Sequence, residues 1–243
     1  MKKSYWETGV VYDQPTTDQL QKNAAETAKK AKSKGKKLHP VTVSGRAITN
    51  SFWGKSWCEN LESYADYESR LDRGKRYLRT GAVVDLQIQK GRVSAKVQGR
   101  RKTPYKVEIT ISPIDERRCQ KIMSKCSENI SCLDELLKGD FPEELEEVFL
   151  GSDGLFPSPK QISFSCSCPD WAIMCKHVAA VLYGIGVRFD EDPLLFFELR
   201  GIDVDRFVDV TLANSVESML ANVNVESPRI IATDDWEKVF GLV

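Results

Sequence analysis

Histidine is scarce in this sequence, which contains only His39 and His177 among its 243 residues. His39 lies in a polar stretch beside a proline, where we expect a surface residue. The sequence also lacks a Walker-type phosphate loop, a Rossmann glycine pattern and an H-E-x-x-H motif. These absences remove the common signatures of nucleotide-dependent and zinc-dependent enzymes. We therefore expect a protein that is not an enzyme and has no small-molecule substrate.

Long apolar runs are absent as well. The longest strongly apolar stretch, 178–187, has ten residues, whereas a membrane span needs about 20. We therefore predict a buried helix there and no membrane partner. The first eleven residues contain no continuous apolar stretch of the signal-peptide type, and the seven cysteines are an odd number. Both features favour reduced thiols and a cytoplasmic location over a disulfide framework.

The net charge of zero conceals a strong asymmetry along the chain. Residues 1–107 contain 23 Lys and Arg against 10 Asp and Glu, whereas residues 108–243 contain 12 against 25. A basic half can contact phosphates, which an acidic half does poorly. Two simpler explanations stay open, namely that the two halves face each other or that each is solvated.

The N-terminal part of the chain changes character near Ser51. Residues 14–37 are polar and lysine-rich. They predict either a mobile basic arm or a marginal helix, because no apolar stripe is present to dock a helix. After Ser51, a possible helix cap, apolar residues recur at helical spacing: Phe52 or Trp53, Trp57, Leu61 and Tyr64. Core packing explains the tryptophans better than base stacking, because they match one buried face.

Three stretches of alternating apolar residues follow, at 84–88, 93–97 and 105–111. Such alternation is typical of strands with one buried face, and Lys90-Gly91 supplies a turn between the first two. Residues 114–150 then predict two or three helices, with Pro142 at a first helical position. The sequence thus predicts an α+β fold: an antiparallel β-meander with packed helices, and a helical C-terminal region.

The strongest chemical signal is the spacing C-x-C-x6-C-x-H, formed by Cys166, Cys168, Cys175 and His177. Side chains alternate along an extended segment, so the first two cysteines project from the same side. Pro169-Asp170 can then reverse the chain, and the second ligand pair arrives as an apolar helix begins. Structural zinc takes such a Cys3His set in a tetrahedron. We predict one structural Zn²⁺ at these four residues.

Two catalytic interpretations of the cluster are weaker. A Cys175–His177 nucleophile pair would leave the first two cysteines unexplained. A zinc-dependent hydrolase or deaminase needs an open metal position and a carboxylate base. Asp170 is the only acid within the ligand span, and the turn explains it. The remaining cysteines are interpreted as free buried thiols: Cys58, Cys119, Cys126 and Cys132.

The cluster resembles a SWIM zinc finger, whose pattern is C-x-C, a variable spacer and then C-x-H. Residues 53–62, 71–86 and 190–201 are similar to bacterial proteins that carry this finger. The resemblance implies a short hairpin packed on a helix and closed by zinc, with the ligand roles on the four cluster residues. It also implies a DNA-binding or protein-binding role beside a helicase-like ATPase of the Snf type or beside recombination and repair machinery.

The chain is divided by these patterns into four regions. They are a basic, partly flexible N-terminal arm (1–50), an α+β body (51–150), the finger with following helices (151–201) and a helical tail (202–243). The spacing of four apolar residues predicts the helix of the tail: Phe207, Val210, Leu212 and Met219.

Two functions stay open at this point. In the first, the protein binds nucleic acid, with DNA favoured, through lysine and arginine contacts to phosphate. The candidates are Arg70, Arg73, Lys75, Arg76, Arg79, Arg100, Arg101, Lys102 and Lys106. Tyr77 and Tyr105 lie among them and could stack on bases, although a solvated charged face is the simpler explanation. In the second, the protein is an adaptor that docks on the ATPase, and only the partner contacts DNA.

Overall fold

The computed structural model describes residues 15–63, 68–127, 150–151, 154–170 and 172–206, and a few residues beyond these. Its helices are α1 (Thr17–Ser33), α2 (Phe52–Glu62), α3 (Glu68–Arg79), α4 (Glu116–Ser127), α5 (Lys176–Glu191) and α6 (Leu194–Arg200). Its strands are β1 (Val83–Gln89), β2 (Arg92–Val97), β3 (Tyr105–Ile111) and β4 (Ile162–Cys166). The fold is α+β, as the sequence predicted.

The sheet of the described residues is antiparallel and has the strand order β1-β2-β3-β4. The predicted three-stranded meander is confirmed, and Gly91 adopts φ +68° in the turn between β1 and β2. The sequence did not predict that β4, from the finger segment, would pair with β3. This pairing places Cys166 opposite Val107, so the first metal-ligand candidate lies on the sheet of the body.

Helix α5 forms the centre of the core. Residues 178–187 are buried throughout, which confirms the predicted buried helix. Helix α2 packs against it closely, since a Cβ atom on Gly54 would lie only 2.7 Å from the carbonyl oxygen of Gly186. Trp57, fully buried, donates its indole N–H to the carbonyl oxygen of Leu182 at 2.9 Å. The tryptophans of α2 therefore pack in the core, as predicted.

Helix α3 was not predicted from the sequence, where its basic residues were considered only as candidate phosphate contacts. Its buried residues include Leu71, Tyr77 and Leu78, which recur at helical spacing between the charges. It meets α5 at Gly74, where a Cβ atom would lie 2.6 Å from the Cβ atom of Ala179. The absence of a side chain at this crossing lets the two backbones approach.

The lysine-rich N-terminal segment contains helix α1, one of the two alternatives that the sequence left open. Thr16 and Gln19 form a capping box at its start, which satisfies backbone N–H groups that the first turn leaves unpaired. Leu20 and Ala24 are its buried residues. This short apolar contact explains why no docking stripe was evident in the sequence.

Several sequence predictions concern residues outside the described part of the chain. Helix α4 supplies one of the helices predicted for 114–150, whereas Pro142 and the tail residues Phe207, Val210, Leu212 and Met219 are not described. The domain boundaries stay predictions. Cys58 is buried and Cys119 is half-buried, while the side chains of Cys126 and Cys132 are not described. Among the described helices, none is long and apolar enough to cross a membrane.

Candidate metal centre

The structure brings together the four predicted ligands at the junction of β4 and α5. Cys166 ends β4, Cys168 follows two residues later, and Cys175 is the N-cap residue of α5, with His177 in the first turn. One potential ligand atom from each residue lies within 4.8 Å of the others. The resemblance implied a short hairpin within the finger. Among the described residues, the finger contributes one strand, β4, which pairs with β3 of the body.

The spacing of these atoms suits a single zinc ion. His177 Nδ1 lies 3.9 Å from Cys166 Sγ and 3.9 Å from Cys175 Sγ. A tetrahedron with metal–ligand bonds of about 2.1–2.3 Å has edges of about 3.5–3.8 Å, so the four ligand atoms, which lie within 4.8 Å of one another, need to approach each other by at most about 1 Å to hold the ion. Three sulfurs and one imidazole nitrogen form a set that zinc prefers and that fills its tetrahedron. The cluster is thus suited to a closed, structural zinc site.

Burial and mutual hydrogen bonding set the protonation of the thiols. Cys175 and His177 are almost fully buried, while Cys166 and Cys168 are half-buried. A hydrogen bond between Cys166 and Cys175 lowers the pKa of Cys175 and raises the pKa of Cys166. Burial raises the pKa of Cys168. Zinc binding must therefore displace protons from the cluster, because the thiolate is the ligand.

The imidazole of His177 is held between two tyrosine rings. Tyr105 stacks on it with ring centroids 4.3 Å apart and planes at 28°, and Tyr77 meets it edge-on at 5.3 Å. A histidine bound to a metal usually donates its second N–H to an acceptor. Within the described part of the chain, His177 Nε2 is buried without a hydrogen-bond partner. Aromatic packing therefore replaces that hydrogen bond in fixing the ring orientation.

The loop between the ligand pairs is tied to helix α3 by an ion pair. Arg70 Nη1 lies 2.7 Å from Asp170 Oδ2, and Asp170 also accepts the backbone N–H of Ala172 at 3.3 Å. Burial raises the pKa of Asp170, but these hydrogen bonds outweigh it and hold the pKa below its usual value. Asp170 thus ties the loop to α3, in addition to its predicted place in the turn.

The residues predicted to contact nucleic acid fall into two groups. Exposed side chains belong to Arg73, Arg100, Arg101, Lys102 and Lys106. The others make contacts within the chain: Lys75 pairs with Glu62 at 2.9 Å, Arg76 donates to the Pro15 carbonyl at 2.7 Å, and Arg79, which is exposed as well, donates to the Arg46 carbonyl at 2.6 Å. The second group, together with Arg70, ties elements to α3.

The idea that Tyr77 stacks on bases is wrong, because its side chain is 3% exposed and packs on His177. Tyr105 is half-buried, and the Arg101 guanidinium lies 5.4 Å from its ring centroid. That both tyrosines pack on a metal-ligand candidate could not be predicted from the sequence. Tyr105 and Tyr77 precede His177 by 72 and 100 positions, and contacts between residues so far apart produce no periodic pattern in a single sequence.

Comparison with known proteins agrees with this geometry. The family model described as SWIM zinc finger matches residues 160–184. An uncharacterized protein of Mycobacterium tuberculosis is 38% identical over 157 residues, which cover 64% of this chain and 56% of the relative. The chain therefore spans little more than half of that relative, and no solved structure matches. Residues 160–184 are thus a SWIM zinc finger, with Cys166, Cys168, Cys175 and His177 suited to holding one zinc ion.

Proposed function

We propose that this protein is a non-enzymatic zinc-finger protein that binds nucleic acid, with DNA favoured. One observation carries the proposal: an exposed basic loop adjoins the metal centre. This basic loop is residues 99–104, and its Arg101 lies over the ring of Tyr105, which stacks on His177. A positively charged loop that packs against a metal-binding finger is suited to binding phosphate groups.

The charges of the basic loop support contact with a phosphate backbone. Arg100, Arg101 and Lys102 are three consecutive exposed cations. Lys106 and Arg73 are exposed on the two elements that carry the tyrosines, β3 and α3. Arginine and lysine contacts to phosphate give affinity without sequence preference, and each contact makes binding more sensitive to salt.

We further propose that the protein acts as an accessory to a helicase-like ATPase of the Snf type, or to recombination and repair machinery. The support for this step is the SWIM finger at residues 160–184 and the resemblance stated above. The uncharacterized relative adds no information on partners.

The test is a salt series of the zinc-loaded protein with single-stranded and double-stranded DNA. We expect log affinity to fall linearly with log salt, by about 0.7–0.9 per phosphate contacted. Charge reversal of the basic loop, R100E/R101E/K102E, is expected to weaken binding by at least tenfold and to flatten the slope.

The matched control is K90E/K121E/K160E, three exposed lysines. Lys90 lies in the β1–β2 turn, and Lys160 lies just before β4, at the end of the sheet opposite the basic loop. An equal loss of DNA affinity in the two variants would mean that the net charge of the protein, and not the basic loop, accounts for the effect. No binding by the unmodified protein at low salt would refute the proposal.

An adaptor function has one specific observation in its favour. Ile173, in the loop between Cys168 and Cys175, is 76% exposed, and an exposed large apolar side chain suits a protein contact. If the adaptor function is right, a complex with the ATPase survives nuclease treatment and is weakened by Ile173→Ser. The same variant is expected to leave zinc content unchanged.

A further inference from the structure

The side chain of Gln98 joins helix α1 to the basic loop. Gln98 follows β2 and is 1% exposed. Its Nε2 atom donates to the carbonyl oxygens of Gly99 at 3.1 Å and Arg101 at 2.5 Å. Its Oε1 atom accepts the hydroxyl of Thr27, on α1, at 2.8 Å. One buried carboxamide therefore fixes both the loop backbone and the neighbouring helix.

Helix α1 has further contacts with the same region. Asn23 donates its side-chain N–H to the carbonyl oxygen of Gly99 at 3.1 Å. Arg76, on α3, donates to the carbonyl oxygen of Pro15, just before α1, at 2.7 Å. Only Leu20 and Ala24 of this helix are buried. Because so small an apolar contact holds a helix weakly, these polar contacts decide where α1 lies.

The exposed side of α1 is strongly basic. Its lysines are all exposed, namely Lys22, Lys29, Lys30 and Lys32. The helix contains two acidic residues, Asp18 and Glu26, and Glu26 lies 3.7 Å from Lys30. Lys34, Lys36 and Lys37 follow directly and are exposed too. Residues 17–37 thus bear seven lysines against two acids.

We propose that α1 and the basic loop form one surface that binds the phosphate backbone of nucleic acid, with Gln98 as its positioning residue. The inference rests on the proposed function and extends it, because the sequence placed no phosphate contact on α1. A helix of 17 residues is about 25 Å long. That length matches about seven base pairs of B-DNA, at about 3.4 Å per base pair. The helix can therefore add several contacts to those of the loop.

The test is the salt dependence of DNA binding by K29Q/K30Q/K32Q, with K90Q/K121Q/K160Q as the matched control. Both variants remove three exposed charges, but in the control Lys90 and Lys160 lie at the end of the sheet opposite the basic loop, and Lys121 lies on α4. We expect the α1 variant to lose at least fivefold in affinity, with the slope reduced by about one to three. We expect the control variant to change affinity less than twofold.

A second pair of variants tests the positioning residue. Thr27→Val removes the hydrogen bond between α1 and Gln98, and Gln98→Met removes the whole carboxamide. Both are expected to keep one zinc per chain and to weaken DNA binding. In either background the K29Q/K30Q/K32Q change should have a smaller effect, because α1 has lost its hydrogen bond to Gln98 and is held beside the loop less firmly, by the remaining contacts of Asn23 with Gly99 and of Arg76 with Pro15.

The outcomes separate the inference from the proposed function. If the protein binds DNA and K29Q/K30Q/K32Q behaves like the control, α1 is not part of the surface and only the inference is overturned. If the effects of Thr27→Val or Gln98→Met on DNA affinity simply add to that of K29Q/K30Q/K32Q, Gln98 does not position α1 for binding. If the unmodified protein binds no DNA at low salt, both are overturned, and an acidic protein becomes the partner to test against α1.

Discussion

Tyr105 stacks on His177, with the ring centroids 4.3 Å apart and the planes inclined by 28°. This contact joins a metal-ligand candidate to the first residue of β3 and, through it, to the basic loop. Tyr77 contacts the same imidazole from α3. The metal centre is therefore packed into the body of the protein on two sides, and changes at the centre are expected to reach both elements.

Replacing a metal ligand should empty the site and destabilise the core. Cys175→Ser and His177→Ala are each expected to lose the one zinc per chain, measured by elemental analysis of the purified protein. Zinc binding contributes about 10–16 kcal/mol in zinc-finger peptides. Since α5 begins at the cluster and runs through the core, the unfolding temperature should fall as well.

The matched control for the ligand variants is Cys119→Ser, which alters a half-buried cysteine on α4. It should retain one zinc and unfold within a few degrees of the unmodified protein. Full zinc content in Cys175→Ser or His177→Ala would contradict the ligand assignment.

A methyl group at residue 99 should disturb the packing around His177. A Cβ atom on Gly99 would lie 2.7 Å from Tyr105 Cε2 and 3.5 Å from His177 Nε2. Gly99→Ala is therefore expected to destabilise the protein by about 1–3 kcal/mol, as overpacking does. The measurement is the free energy of unfolding in urea. Combining Gly99→Ala with Tyr105→Leu should cost less than the sum of the two single changes, and simple additivity would place the strain elsewhere.

Removing the Asp170 charge should loosen the finger without removing its metal. Asp170→Asn weakens the ion pair with Arg70. The side chains of Arg70 and Asp170 are 20% and 21% exposed, respectively. A partly exposed pair contributes roughly 0.5–1 kcal/mol, so transfer of zinc to a chromophoric chelator should accelerate about twofold to fivefold. Total zinc content should stay at one per chain. An unchanged transfer rate would mean that α3 does not restrain the loop.

Acid should destabilise the protein partly through Asp85. Its carboxylate is 5% exposed and lies 2.6 Å from Lys96 Nζ, and it accepts the backbone N–H of His39 at 3.1 Å. Burial raises the pKa of Asp85, but these hydrogen bonds outweigh it and the pKa is lowered. A lowered pKa in the folded state means that the stabilisation is complete above the unfolded value, about 3.9. It is lost as pH falls through the folded pKa.

The measurement for Asp85 compares the unmodified protein with Asp85→Asn. The free energy of unfolding is measured for both proteins between pH 7 and pH 2.5. At neutral pH the unmodified protein should be more stable by about 1 kcal/mol; the difference is this small because Lys96 is half-exposed and its charge is partly screened. The two curves should converge below pH 4. Curves that stay parallel would show that protonation of Asp85 does not contribute to acid unfolding.

The sequence predicted those features that depend on local pattern. Alternating residues gave β1 to β3, the apolar run 178–187 gave the buried helix α5, and the spacing C-x-C-x6-C-x-H gave the metal cluster. Helix α3 was missed because its few buried residues, Leu71, Tyr77 and Leu78, lie among charges. The pairing of β4 with β3 was missed because the strands are separated by residues 112–161, and no local pattern encodes such a partner.

The sequence by itself determined the chemistry of this protein: three thiols and one imidazole at a spacing that suits zinc, and a surplus of cations in residues 1–107. The tertiary structure decided which of those residues are exposed and which are committed to contacts within the chain. Arg76 and Arg101 are both basic residues of the first half, yet Arg76 holds the start of α1 and Arg101 lies in an exposed loop beside the metal centre. The physical reason is that charge and ligand type belong to single residues, whereas exposure depends on packing between distant parts of the chain.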